Sequence, residues 1–459
     1  MKDLTKGKIS TLILGFAIPV FLGNLLQLTY SLADTRIVGT FLGEQALAAV
    51  GATTTISNLI VGFLLGLANG FAIITAQKFG AGDTKRVRKS FAIAIILGAV
   101  ISIVMILAGT IFINPILNFL NVPQKLYAAS KQYIIIIIVG LWVTMFYDIL
   151  MAVMRAIGDT ITPLLILAIS VGLNIAGDIL FVAVWKTGTW GAAAATVLAQ
   201  FIALIICCFY MIHKYELLCL KKEDFENLEP HMIKGMLGSG MSMGFMSSLV
   251  NIGSLTLQTA INKLGQDIIV AHTAARKITE IYMIMFMVFG QTMATFCGQN
   301  MGAGKFDRIK EGMKLAIIYT CAWSTLAMIA SYTIGPQLVY MVTGTHKEAV
   351  ITNATNYLKF DTLFYYVTCV ISVLRNVMQG MGDRVTPLIS SGLEMVGKVV
   401  IAATLVPWLD YTGVIIAEPI VWFIMVIPLI IQILKMIPVL EKQYGSPCLL
   451  YTSPSPRDS

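Results

Sequence analysis

Charge is scarce in this chain: 12% of its 459 residues are Asp, Glu, Lys or Arg, against 57% hydrophobic. A soluble globular protein carries about 25% charged residues, so a soluble domain is excluded. Metal and redox chemistry are thinly provided for. The four histidines show no ligand spacing, and the seven cysteines include no Cys-x2-Cys pair. Five of the cysteines (Cys207, Cys208, Cys297, Cys321 and Cys369) fall in apolar stretches, where Cys acts as a small hydrophobe. No HExxH, GxSxG or clustered His/Asp motif offers a nucleophile, base or catalytic metal, which leaves a membrane-embedded enzyme as the remotest reading. No cofactor motif is found either. The glycine stripe Gly62-x3-Gly66-x3-Gly70 lacks a Walker lysine and reads as a close helix contact. The net charge of +8 lies in short loops, which membrane orientation explains without a nucleic-acid partner.

What the chain does have is long apolar runs, each near the roughly 20 residues a helix needs to cross a lipid bilayer. Twelve are predicted: 10–36, 46–76, 90–112, 131–153, 163–184 and 190–212, then 238–262, 268–297, 312–334, 355–378, 386–408 and 413–437. The fold class is therefore an all-α polytopic membrane protein. Met1 to Lys8 is basic, but the apolar run after it is too long for a signal-peptide core and reads as a retained first span. The polar segment His213–Lys234 reads as a solvated linker between an N-terminal lobe, 1–212, and a C-terminal lobe, 235–444. From about Gly445 the composition changes, and 445–459 reads as a non-native tail outside the fold.

The chain repeats itself. Gln77-Lys-Phe-Gly-Ala-Gly82 returns as Gln299-Asn-Met-Gly-Ala-Gly304, an offset of 299 − 77 = 222. Met154-Arg-Ala-Ile-Gly-Asp-Thr-Ile-Thr-Pro-Leu164 returns as Met378-Gln-Gly-Met-Gly-Asp-Arg-Val-Thr-Pro-Leu388, offset 224, with six of eleven positions identical. Two motifs at one nearly constant offset mean a duplicated six-span unit. An even span number makes the repeats parallel, related by an axis along the membrane normal. Both Gly-Ala-Gly loops are followed by basic residues, which predicts a cytoplasmic location for them and for both termini.

Within the spans, Asn174 and Asp178 are four apart and so share a helix face. A carboxylate near the centre of a spanning helix costs roughly 2.5–3.5 kcal/mol on insertion scales, so Asp178 should face a cavity, a partner or an ion. Asp34 ends the first span, with Pro19 upstream predicting a bend. It either pairs with Arg36 at the interface or joins Asp178. In the second case, Asn174 and the Thr196 hydroxyl complete an all-oxygen cage suited to Na⁺, or the two acids share a proton. The repeat offsets map Asn174, Asp178 and Thr196 onto Glu394, Lys398 and Glu418. Glu394 and Lys398 can neutralise each other, leaving Glu418 for Arg375, Lys398 or a cationic substrate. Asp148 and Arg155, two helical turns apart, are expected to pair or to hold the cytoplasmic end, and Arg276 is expected to pair with Glu280.

These residues resemble the multidrug and toxic compound extrusion (MATE) family of secondary antiporters, over essentially Met1 to Tyr444. The most specific marks are Pro19 with Asp34-Thr-x3-Gly39, and the two motifs that each occur twice. The resemblance implies two six-helix lobes, alternating access in the plasma (inner) membrane, and export of organic cations against Na⁺ or H⁺ by a functional monomer. It also implies that Asp34, Asn174, Asp178 and Thr196 form the ion site, with Pro19 as a hinge. A second branch of the family uses a helix-seven Glu, but here that region reads Met246-Ser-Ser-Leu-Val250. The helix-ten Asp of that branch has only Asp361 as a counterpart, placed near a helix start. The runner-up reading is a flippase for lipid-linked precursors, which requires a cationic cavity built from Arg276, Lys277, Arg375 and Lys398.

Overall fold

The structure is a computed structural model describing residues 2–444 apart from Asn121; residues 445–459, read above as a non-native tail, lie outside the described residues. Among the described residues the chain is helical, with no strand. The first half comprises α1 (Ile9–Gly80), α2 (Thr84–Ile111), α3 (Ile113–Phe119), α4 (Gln124–Val139), α5 (Leu141–Ala156), α6 (Ile161–Asp178) and α7 (Thr189–Lys214). The second comprises α8 (Pro230–Ile261), α9 (Gln266–Gly302), α10 (Phe306–Thr343), α11 (Glu348–Leu363), α12 (Tyr365–Met381), α13 (Val385–Leu409) and α14 (Tyr411–Tyr444).

The twelve expected crossings are present, but their joints differ from the expectation. The first two are one 72-residue helix broken at Gly43, whose φ of 81° suits glycine. Crossings four and ten are bent pairs: α4 meets α5 at 46°, and α11 meets α12 at 54°. The breaks fall at Gly140 and Phe364, and 364 − 140 = 224, so the bend is part of the duplicated unit. Hydropathy runs unbroken through both bends and cannot show them. With α2, α6 and α7 in one half and α8, α9, α10, α13 and α14 in the other, each lobe has six crossings.

The repeated motifs are structural at their ends. Gly158 (φ 82°) and Gly382 (φ 98°) turn the chain, and the following Asp starts a helix. Asp159 Oδ1 accepts the N–H groups of Ile161 and Thr162 at 3.1 and 3.0 Å, and Asp383 Oδ1 does the same for Val385 and Thr386 at 3.0 and 3.1 Å. These carboxylates satisfy orphan donors of the first turn, and the proline two residues into each helix needs no donor there. Asp159 also accepts from Tyr215 and is 3.7 Å from Lys214.

The Gln-x2-Gly-Ala-Gly motifs end α1 and α9, as the sequence suggested, with Gly82 (φ 73°) and Gly304 (φ 66°) in the left-handed turn. Their other role is the contact between lobes. A Cβ on Gly80 would stand 1.9 Å from Gln299 O, and one on Gly302 would stand 1.8 Å from Gln77 O. Gln77 Nε2 donates to Gly380 O (2.9 Å), while Gln299 Nε2 donates to Ala156 O (2.7 Å). Since 380 − 156 = 224, the two bonds are mates under the pseudo-twofold. Deeper in the seam, Gly66 and Gly70 lie against the backbones of Gly244 and Gly240. The start of α1 belongs to the second lobe's core: Ile9, Leu12, Ile13 and Phe16 pack with Phe286, Phe289 and Met293.

The linker is less solvated than its charge suggested. Tyr215, Leu218 and Asp224 are buried, and Asp224 lies 3.3 Å from Arg88 of α2. The basic residues after Gly82 face the linker's acids, which draws it onto the lobe.

Candidate functional site

Asp34 of α1 and Asp178 of α6 are close neighbours. Asp34 is half-buried and Asp178 fully buried, and Asp178 Oδ1 has no partner among the described residues. Arg36, two residues on, points to the exposed side of α1 and makes no ion pair there among the described residues. With its amide nitrogen turned to Asp178, Asn174 donates to Oδ2 (2.9 Å) and its oxygen accepts from Thr196 Oγ1 (3.2 Å). Turned over, the amide donates to Thr196 Oγ1 at 3.2 Å, and the hydroxyl donates to Ala192 O at 3.1 Å. Either orientation satisfies the hydroxyl, because Thr both donates and accepts. The four residues named from sequence are therefore brought together.

Two features were missed. The Tyr30 hydroxyl lies 3.4 Å from Thr196 Oγ1; its spacing of four from Asp34 on one helix face was the available signal. Directly after Asp178 the helix relaxes into a π-turn, Ile179–Val184. Such wide turns recur at functional sites, and nothing in the apolar run 179–184 announces one. Gly177 holds α6 against α7, a Cβ there standing 3.1 Å from that of Ala195, the residue before Thr196. Pro19 sits in α1 with helical geometry around it, the break of that helix being at Gly43.

In the second lobe, Glu394, Lys398, Glu418 and Arg375 form one buried ladder. Arg375 Nη2 is 3.3 Å from Glu394 Oε2, Lys398 Nζ is 3.0 Å from Glu394 Oε1 and 3.2 Å from Glu418 Oε1. Arg276 Nη1 closes the far end, 3.6 Å from Glu418. The expected Arg276–Glu280 pair is not formed; Glu280 takes Lys277 instead, at 3.5 Å. The buried Glu418 loses far more without a cation than the half-exposed Glu280 does, so the guanidinium goes to the former. Asp361 is not near a helix start. It lies at the α11–α12 break, 1% exposed, beside Tyr365 and the ladder, a place the unseen bend created.

A cavity of about 190 Å³ lies inside the first lobe against α9. Asn24, Gln27, Tyr30, Asn174, Thr196 and Gln200 line it, with Pro19 at its wall and Gln291 from the second lobe. It therefore borders the four-residue cluster through Asn174 and Thr196. None of Arg375, Glu394, Lys398 and Glu418 lines it. Asp148 and Arg155 do, yet they do not pair: Arg155 Nη2 donates to Asn69 Oδ1 at 3.3 Å.

Comparison with known proteins agrees with this architecture. The MatE family model matches twice, over residues 19–180 and 242–404, and the chain belongs to that family of multidrug efflux transporters. The second match starts 242 − 19 = 223 residues after the first, in step with the repeat. The probable multidrug resistance protein YpnP of Bacillus subtilis (strain 168) is 26% identical, over 90% of this chain and 92% of that protein. A protein of Shewanella oneidensis described as an FAD transporter is 23% identical over 72% of this chain and 74% of its own length. A solved structure described as the outward-facing conformation of a multidrug resistance MATE family transporter superposes with a TM-score of 0.88, at 20% identity, covering 96% of this chain and 98% of that one. The fold is thus two six-helix lobes of a multi-pass membrane transporter.

Proposed function

We propose that the protein exports organic cations in exchange for Na⁺ or H⁺, by alternating access of a cavity in the first lobe. The observation that carries this reading is the buried Asp178, with one carboxylate oxygen unpartnered and Asp34, Asn174 and Thr196 around it. A buried carboxylate pair is stable only with a proton or cation between its members. The donors are all oxygen, which suits a hard cation, and the Asn174 amide can turn its oxygen inward to meet one. Loading the acids from outside would rearrange α1 at Pro19. Tyr30, Asn174 and Thr196 reach both the cluster and the cavity, so that change would alter the wall that holds substrate. The basic Gly-Ala-Gly loops and N-terminus support a plasma (inner) membrane location with both termini cytoplasmic. Lys277 and Glu280 are about half exposed well inside α9, a place that demands water between the lobes rather than lipid.

The flippase reading receives less support. It needs free cations in a central cavity, whereas Arg375 and Lys398 are buried and paired with Glu394 and Glu418.

The test is efflux of a fluorescent organic cation from proteoliposomes under an imposed Na⁺ or proton gradient, wild type against Asp178→Asn. Gradient-driven efflux lost in the variant is the expected result, and the effective gradient names the ion. Efflux unchanged in Asp178→Asn removes the first-lobe acids from the coupling step.

A further inference from the structure

Three helices run in the same order from the first-lobe cavity, past a smaller cavity at the lobe seam, to the clamp of Gln77 and Gln299. On α1 the order is Leu65, Asn69, Gln77; on α9 it is Gln291, Thr295, Gln299; on α5 it is Asp148, Arg155, Ala156. Arg155 and Gln291 line both cavities, so the two adjoin there. The seam cavity measures about 30 Å³ and is bordered by Asn69, Thr295 and Asn376, which makes it polar and roomy enough for water. Among the described residues, Arg155 is the only charged one on its wall. No acid pairs with it there; its guanidinium has only the neutral Asn69 oxygen, at 3.3 Å. Asp148 stands seven residues back on the cavity side, about 10 Å along the helix axis, and does not cancel the charge at the seam. The duplicated frame does not demand a cation here. The mate of Arg155, at 155 + 224 = 379, is Gln379, which donates to the Met246 sulfur at 3.6 Å. A guanidinium stays charged in any surroundings and is costly away from an acid. Its one-sided presence on the seam is a feature of the first lobe that neither packing nor pairing accounts for.

We infer that Arg155 is an electrostatic barrier, which keeps Na⁺ and protons from passing between the first-lobe cavity and the cytoplasm through the seam. The inference rests on the exchange reading above and goes beyond it. An exchanger profits from an ion gradient only if the ion crosses with the conformational change, and polar side chains that hold water continue from the cavity toward the clamp. Hydrogen bonds between the lobes stop bulk flow, but water in a polar seam can still pass a proton or a small cation. A fixed positive charge opposes both, as an arginine does in other pores that admit water. Across roughly 10 Å, at an effective dielectric constant of about 20, one unit charge lowers the occupancy of a like charge by about tenfold, and more at closer range. Asn69 suits this role because its oxygen holds the guanidinium in place without neutralising it, as a carboxylate would.

The experiment reconstitutes the full-length protein in liposomes, imposes a Na⁺ or proton gradient with no organic substrate present, and follows its decay with ion-sensitive dyes. Wild type and Arg155→Lys should hold both gradients, whereas Arg155→Gln should lose at least one of them about tenfold faster. Asn69→Asp is the sharper variant. It keeps the shape of the side chain and its hydrogen bond to Arg155, but sets a negative charge against the guanidinium, so it should leak although the local packing is retained. A folded Asn69→Asp as tight as wild type overturns the inference. So does a leak in Arg155→Gln that passes chloride and sucrose as readily as cations, since loosened packing rather than lost charge would then be the cause. Should Arg155→Gln fail to fold, Asn69→Asp decides alone. Gradient-driven efflux of a fluorescent organic cation, measured on the same wild-type preparation, separates the two ideas. Efflux by wild type together with tight variants leaves the export reading standing and removes the barrier; leaking variants with no wild-type efflux under either gradient support the barrier and remove the export reading.

Discussion

Gly302→Ala tests whether the duplicated motif clamps the two lobes. The added Cβ would stand 1.8 Å from Gln77 O, whereas real Cβ contacts stay above 3.0 Å, so the seam must part by at least 3.0 − 1.8 = 1.2 Å. Opening by that amount stretches Gln77–Gly380 from 2.9 Å and Gln299–Ala156 from 2.7 Å to about 4 Å, past hydrogen-bonding range. Two bonds worth about 0.5–1.5 kcal/mol each amount to about 1–3 kcal/mol. That shifts the balance between closed and open seams by roughly 5- to 150-fold. Folding should survive, because Gly302, the last residue of α9, is not in the left-handed region, and its backbone accepts Ala without strain. Spin labels at Lys85 and Asp307, both exposed, in a cysteine-free background would read the seam by pulsed dipolar spectroscopy. The expected result is a longer, broader distance distribution in Gly302→Ala, and the same from its mate Gly80→Ala. A distribution identical to wild type in a folded variant would refute the clamp.

The ladder in the second lobe predicts an order of damage. Lys398→Met leaves Arg375–Glu394 and Arg276–Glu418 intact as pairs, whereas Glu394→Gln strands the buried Arg375. Glu394→Gln should therefore cost about 3–5 kcal/mol and Lys398→Met clearly less, read as melting temperatures; the reverse order would sink the pairing scheme. On the Gly-Ala-Gly face, burial pushes the Asp159 carboxyl up, but hydrogen bonds from Tyr215 and Thr162 and the nearby Lys214 outweigh it and hold the group below the ordinary Asp range. A carboxyl titrating lower when folded stabilises fully above that range and loses the contribution as pH falls through its folded value. Melting temperature should accordingly drop below about pH 4 in wild type. Asp159→Asn keeps an oxygen for the helix start but removes the charge beside Lys214 and the second acceptor used by Tyr215 and Thr162, so it should lower the melting temperature at neutral pH and flatten the acid decline; an equally steep decline in the variant would clear Asp159.

Much of this protein was written in its chain. Twelve crossings, two lobes and the duplicated unit follow from apolar run length and from motifs recurring at offsets of 222 and 224, because lipid admits only helices here and repetition survives in sequence. The Asp34, Asn174, Asp178 and Thr196 set was also legible, since charge inside an apolar run is costly enough to mark itself. Joints and partners were not. The bends at Gly140 and Phe364, the π-turn after Asp178 and the merger of the first two crossings leave hydropathy unchanged. Spacing on one helix suggested Arg276–Glu280 and Asp148–Arg155, and packing overruled both. Arg276 went to Glu418 from another helix, and Asp148 was left facing a cavity. A helix face says which residues can meet along it, but the energy of a buried charge is decided by whichever helix is packed across from it. Only the folded lobes supply that neighbour.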